Sequence, residues 1–119
     1  MNATTKRPVP VTVVAFLFIA AGIFGLVYHG QKYLKQPSLD HEVWILLLRA
    51  LALIAGIFML RGSVWARWLA IAWMVYHVIL SLYHSISETL AHLGLLAIIT
   101  VMLFLPKASA FFRNREINQ

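Results

Sequence analysis

The stretch Val43–Leu60 reads VWILLLRALALIAGIFML, eighteen residues with a single charged side chain, Arg49. A membrane-crossing helix needs about 20 mainly apolar residues, with a working range of about 17–25. The run is too long and too continuous for a strand. Backbone groups in lipid must be satisfied within their own segment, so a helix is expected here. Three similar stretches accompany it, near 11–28 (VTVVAFLFIAAGIFGLVY), 68–86 (WLAIAWMVYHVILSLYHSI) and 90–105 (LAHLGLLAIITVMLFL). The expected fold is all-α, a transmembrane four-helix bundle forming one membrane domain over 1–119. Its connections are a polar segment with Pro37 and Ser38, the basic turn Arg61-Gly62-Ser63, a polar hairpin at Ser85–Thr89, and a basic tail over 106–119.

Composition agrees. Of 119 residues, 61% are hydrophobic and 12% charged, against roughly 45–50% and about 25% in a soluble domain. An ordinary soluble fold is excluded, and so is disorder, which needs low hydrophobicity and high charge. The chain has no cysteine, which removes disulfides, thiolate metal sites, thiol nucleophiles and c-type haem attachment. Ten Lys and Arg stand against four Asp and Glu. In a membrane chain that excess reads as topology, and no nucleic-acid partner is expected.

Lysine and arginine in short loops set orientation. Lys6, Arg7, Arg61, Arg67, Lys107, Arg113 and Arg115 fall on one side of the four spans, and Lys32 and Lys35 on the other. Both termini are therefore expected in the cytoplasm (N-in/C-in). The first apolar stretch exceeds the roughly 7–15 residues of a signal-peptide core, so it is expected to remain as a span.

Helices in lipid associate through small residues and polar pairs. Ala21/Gly25, Ala52/Gly56 and Ala66/Ala70 have the right spacing, and Gly94 with Ala97 marks a small face on the fourth span. Tyr33, Trp44 and Tyr83 fit an aromatic belt at one interface, and Trp65 and Trp68 at the other. Phe111-Phe112, between Lys107 and Arg113, reads as an interfacial segment with rings dipping into the membrane.

All five histidines, His29, His41, His77, His84 and His92, fall in the outer half once the chain is oriented this way. At 100° per residue His77, Ser81, His84 and Glu88 share a stripe about 60° wide, expected to face the bundle. His77 lies roughly 13–14 Å deep and Arg49 roughly 9 Å below the outer end. At that depth Arg49 is level with Ser81 and His84, and pairing with Glu88 is expected, with Glu42 as the rival partner. Such intramembrane groups form interhelical clasps or mark binding sites and pathways. Three readings stay open: a structural clasp, a ligand site using Arg49, His77, Ser81, Tyr83 and Glu88, and a metal or haem site. Metal would fall to His84, Glu88 and His92, and haem b to His29 with His84.

No glycine-rich phosphate loop, G-x-S-x-G or H-E-x-x-H occurs. The first span has no acidic residue on which to couple protons to cation export.

The stretches RPVPVT (7–12), GIFGLVYH (22–29), RALA (49–52), LRGSVWARWL (60–69), YHVILS (76–81) and LPKA (105–108) resemble those of a group of small bacterial four-span membrane proteins of unassigned function. The resemblance covers most of the chain. It implies a bacterial inner-membrane location and the same span count, and it carries no activity or cofactor. The function expected is that of a small, non-enzymatic accessory or interaction subunit, multi-pass in the inner membrane and without a resident cofactor. Its partners would be the lipid bilayer and either a larger membrane complex or further copies of itself. The alternative is a ligand-, metal- or haem-binding protein, or an oligomeric channel or transporter, built on Arg49 and the outer histidines.

Overall fold

The computed structural model describes residues 6–36 and 39–117, with side chains for all of these except 39–42, 116 and 117. Five helices and no strands occur among them: α1 (Val9–Lys35), α2 (Leu39–Leu60), α3 (Val64–Ser81), α4 (Ile86–Phe104) and α5 (Pro106–Ile117). The first four are long and apolar enough to cross a membrane, with Val43–Leu60 as the apolar part of α2. They close a ring in which α1 meets α2, α2 meets α3, α3 meets α4 and α4 returns to α1. The short α5 lies against α3 and α4. The molecule is 51 Å along its longest axis, well beyond the ~30 Å of a hydrocarbon core.

Helix limits differ from the hydropathy limits for local reasons. Pro8 precedes α1 and Pro10 sits in its first turn, where a missing N–H is harmless. The helix runs two turns past Tyr28, because Gln31 and Lys32 are good helix formers whatever their hydropathy. Lys32 and Lys35 stand in its last turn, where cations favour the dipole. After α2, the Ser63 amide donates to the Phe58 carbonyl (3.0 Å) and the Gly62 amide to Met59 (3.0 Å), with Gly62 at φ +81°. This is the paired helix stop that glycine makes possible. It ends in Ser63, from which α3 starts at Val64, a turn earlier than hydropathy suggests. The chain then reverses at Leu82–Ser85. The Ser85 hydroxyl accepts the Glu88 amide at 3.1 Å, so α4 starts at Ile86 and not near Leu90. Leu105 is extended (ψ 152°), as a residue before proline tends to be, and Pro106 opens α5.

The interior is concentrated at one end. It holds Val11, Val14, Ala15 and Phe18 of α1, Ala52, Ala55 and Met59 of α2, Ala66, Ala70 and Met74 of α3, Ile99 and Leu103 of α4, and Ala108, Phe111 and Phe112 of α5. The interfacial role expected for Phe111-Phe112 does not hold. Both rings are at most 1% exposed, because α5 folds back under the bundle and uses them as its inner face. Arg67 is wrapped by the same aromatic group, its guanidinium carbon 4.1 Å from the Phe104 ring centre and 4.9 Å from Phe112. The start of α1 is tied to the end of α2: Arg7 donates to the Leu60 carbonyl (3.1 Å) and to the Thr12 hydroxyl (2.9 Å). Lys6, Arg7, Arg61, Arg67, Lys107, Arg113 and Arg115 all belong to this closed, basic end.

Candidate functional site

Away from the basic end, α1 has no fully buried residue beyond Gly22, and polar and aromatic side chains join the contacts between helices. The centre of this region is Trp73, on the inner face of α3. Its indole N–H donates to the Leu48 carbonyl of α2 at 2.8 Å, and its ring meets Phe18 of α1 edge-on at 5.4 Å. One residue past Leu48, Arg49 crosses α1 in the notch left by Gly25, where an added Cβ would collide with its side chain. The Arg49 guanidinium carbon stands 5.8 Å from the Trp73 ring centre.

His77 follows Trp73 by one helical turn. Its ring lies 3.8 Å from the Trp73 ring at 30°, and its Nδ1 is 2.8 Å from the Trp73 carbonyl. On α4, His92 makes the equivalent bond, Nδ1 to the Glu88 carbonyl at 2.7 Å. The two imidazoles face each other across α3 and α4, 6.4 Å between centres and 21° from parallel. A carbonyl can only accept, so both Nδ1 atoms carry hydrogen in these bonds, and Nε2 is the atom each ring has left to offer a guest, as an acceptor in the Nδ1–H tautomer. Arg49 is within electrostatic reach of His77. Next to the pair, Trp44 donates to the Tyr76 hydroxyl at 2.8 Å, closing the α2–α3 contact on the side away from the basic end. Acceptor nitrogens suit a guest that donates hydrogen bonds, and the Arg49 cation beside them favours a guest carrying negative charge over a bare metal ion.

The expected Arg49–Glu88 pair is not formed. Glu88 lies in the first turn of α4 with its amide on Ser85, and its carboxylate faces His84 Nδ1 at 3.6 Å, both side chains more than half exposed. Arg49 is level with Trp73 and His77, a turn or more deeper than the expected Ser81–His84 level, because α3 starts and ends earlier than its apolar run suggests. The rival partner Glu42 lies outside the described side chains, as does His41. The polar stripe is broken in the same way. Only His77 and Ser81 lie on α3, His84 is in the turn, and Glu88 is on α4.

The other singled-out residues are scattered. Ser81 is buried and donates to the Val78 carbonyl of its own helix at 2.7 Å. Tyr83 is exposed in the turn. His29 stands edge-on to Tyr28 at 5.0 Å, while His84 faces Glu88. Among the described residues, no group of three His, Asp or Glu could hold a metal ion. Trp73 is the residue that sequence reasoning passes over. Its signal was its position: a tryptophan this far inside an apolar run is no interface anchor, and it precedes His77 by four residues, on the same face. Trp73→Phe keeps an aromatic ring, though a smaller one, and removes the bond to Leu48. It is expected to lower stability by about 0.5–1.5 kcal/mol, measured by thermal unfolding in detergent. An unchanged midpoint would show that the indole N–H contributes nothing to the α2–α3 contact.

No family model matches the chain, and neither does any curated protein or solved structure.

Proposed function

We propose that this chain is a small, non-enzymatic subunit of the bacterial inner membrane, with both termini in the cytoplasm, and that it works by packing against another membrane helix through α4. The outward small face of α4 carries this reading. Only Thr89, Ile99 and Leu103 of that helix are buried in the bundle. Ala91, Gly94 and Ala97 are exposed, and a Cβ added at Gly94 would meet nothing within 4 Å. In lipid, small faces are where helices approach closely, and none of the described helices occupies that face. The orientation rests on seven cations at the closed end against Lys32 and Lys35 at the other.

Extraction in native lipids followed by mass spectrometry tests this, since it reports partners, metals and ligands together. A stoichiometric complex is expected, with another membrane protein or with further copies. Gly94→Leu adds bulk where the isolated chain has room, so the fold should hold. The association should weaken roughly tenfold or more, as overpacking a contact costs about 1–3 kcal/mol. A monomeric wild type, or a complex indifferent to Gly94→Leu, would sink the proposal.

A second reading, a ligand site, is favoured by the His77–His92 pair beside Arg49. A bound small molecule in the same spectra, lost in His77→Ala with the protein complex intact, would separate it from the first. A Soret band or stoichiometric metal would assign the haem or metal version.

A further inference from the structure

We propose that the basic end binds the headgroup of an anionic phospholipid in a groove between the start of α1 and the α4–α5 junction. The groove has a volume of about 620 Å³, within the ~300–1,000 Å³ of small-molecule sites. Lys6, Arg7 and Lys107 line it together with the apolar Val9, Pro10 and Leu105, and no carboxylate does. Arg7 is held in place by its bonds to Thr12 and the Leu60 carbonyl, so one cation is ordered before anything binds. Lys6 and Lys107 are exposed and belong to different segments, which the groove brings together.

The position of the groove and its walls specify a lipid. It lies where α1 begins and α4 ends, at the level where apolar helix gives way to basic loop. Two exposed apolar tracks lead away from it. On α1, Val9, Val13 and Phe16 follow one another at helical spacing, and from Leu105 at the α4–α5 junction a second track runs along α4 through Val101 and Ile98. A molecule with phosphate at one end and acyl chains at the other uses both the cations and the tracks. Inorganic phosphate would leave the tracks bare. Basic pockets between membrane helices hold anionic headgroups by this combination.

The test uses the full-length protein in nanodiscs of equal phosphatidylglycerol and phosphatidylcholine, released into a mass spectrometer. Phosphatidylglycerol adducts are expected to predominate and to survive millimolar inorganic phosphate. Each surface lysine near an anionic headgroup is worth roughly fivefold in binding, so Lys6→Gln with Lys107→Gln should cut the preference roughly twentyfold. Val9→Glu places a carboxylate at an exposed groove position and should remove the preference without touching the interior. Equal retention of the two lipids by wild type, displacement by inorganic phosphate, or an unchanged preference in either variant would overturn the proposal.

Discussion

Gly22→Val combined with Gly56→Val is expected to force α1 and α2 apart and to destabilise the protein more than any surface change of similar size. A Cβ on Gly22 would lie 2.7 Å from the Leu53 amide nitrogen and 2.9 Å from the Arg49 carbonyl. On Gly56 it would lie 2.7 Å from the Ala15 carbonyl and 2.9 Å from the Ile19 amide nitrogen. These neighbours are backbone, so no rotamer change relieves the clash. Overpacking costs about 1–3 kcal/mol per site, and valine adds two methyls beyond the Cβ. Unfolding in detergent, followed by circular dichroism, should show a loss of several kcal/mol for the pair. Gly30 and Gly94 serve as internal controls. Neither has anything within 4 Å of an added Cβ, so alanine there should be neutral or stabilising by up to about 1 kcal/mol, the difference in helix propensity. A double variant as stable as wild type would mean that the close approach of α1 and α2 does not hold the bundle.

The four apolar helices are legible in the sequence because lipid imposes a length and a composition that few other structures share. Their ends are less so, since hydropathy reports solubility in lipid and not the tendency to be helical. Arg67 lies inside α3, yet it reads as a loop charge until Phe104 and Phe112 are seen around it. Ser85 and Glu88 form the S-x-x-E pattern of a helix start. Taken as a capping signal, it places the start of α4 a turn before Leu90. The α5 helix escapes hydropathy altogether, because its basic residues dilute two rings that become fully buried only on docking.

The polar region was legible as a set of residues but not as a set of contacts. Arg49, His77 and His92 stand out as polar groups within apolar runs, and the structure brings them to one level around Trp73. Their pairing depends on register between helices, and an error of one turn at the ends of α3 and α4 exchanges an aromatic face for Glu88 as the neighbour of Arg49. Only a turn chemistry that fixes those ends, such as the glycine stop at Gly62 and the serine cap at Ser85, supplies the missing register.

Phe112→Ala should release α5 from the bundle. Phe112 is 0% exposed and packs on the Arg67 guanidinium, which also touches Phe104. The α5 end lies outside the apolar spans, so magnitudes from aqueous proteins apply, and truncating a buried phenylalanine costs about 3–5 kcal/mol. The loss should fall on α5 and leave the four spans in place, because their own buried residues are unchanged. Trypsin is the direct probe, since Arg113 and Arg115 lie on α5 and cleavage there tracks the opened fraction when closing is fast. Three kcal/mol corresponds to a rise of roughly a hundredfold in that fraction. Arg67→Gln keeps a polar head but gives up the cation–ring contacts, worth about 0.5–2 kcal/mol, and should speed cleavage by a smaller factor. Cleavage of Phe112→Ala at the wild-type rate would show that α5 is held by something other than its aromatic face. Equal acceleration in both variants would place the hold on the Arg67 charge and not on the buried ring.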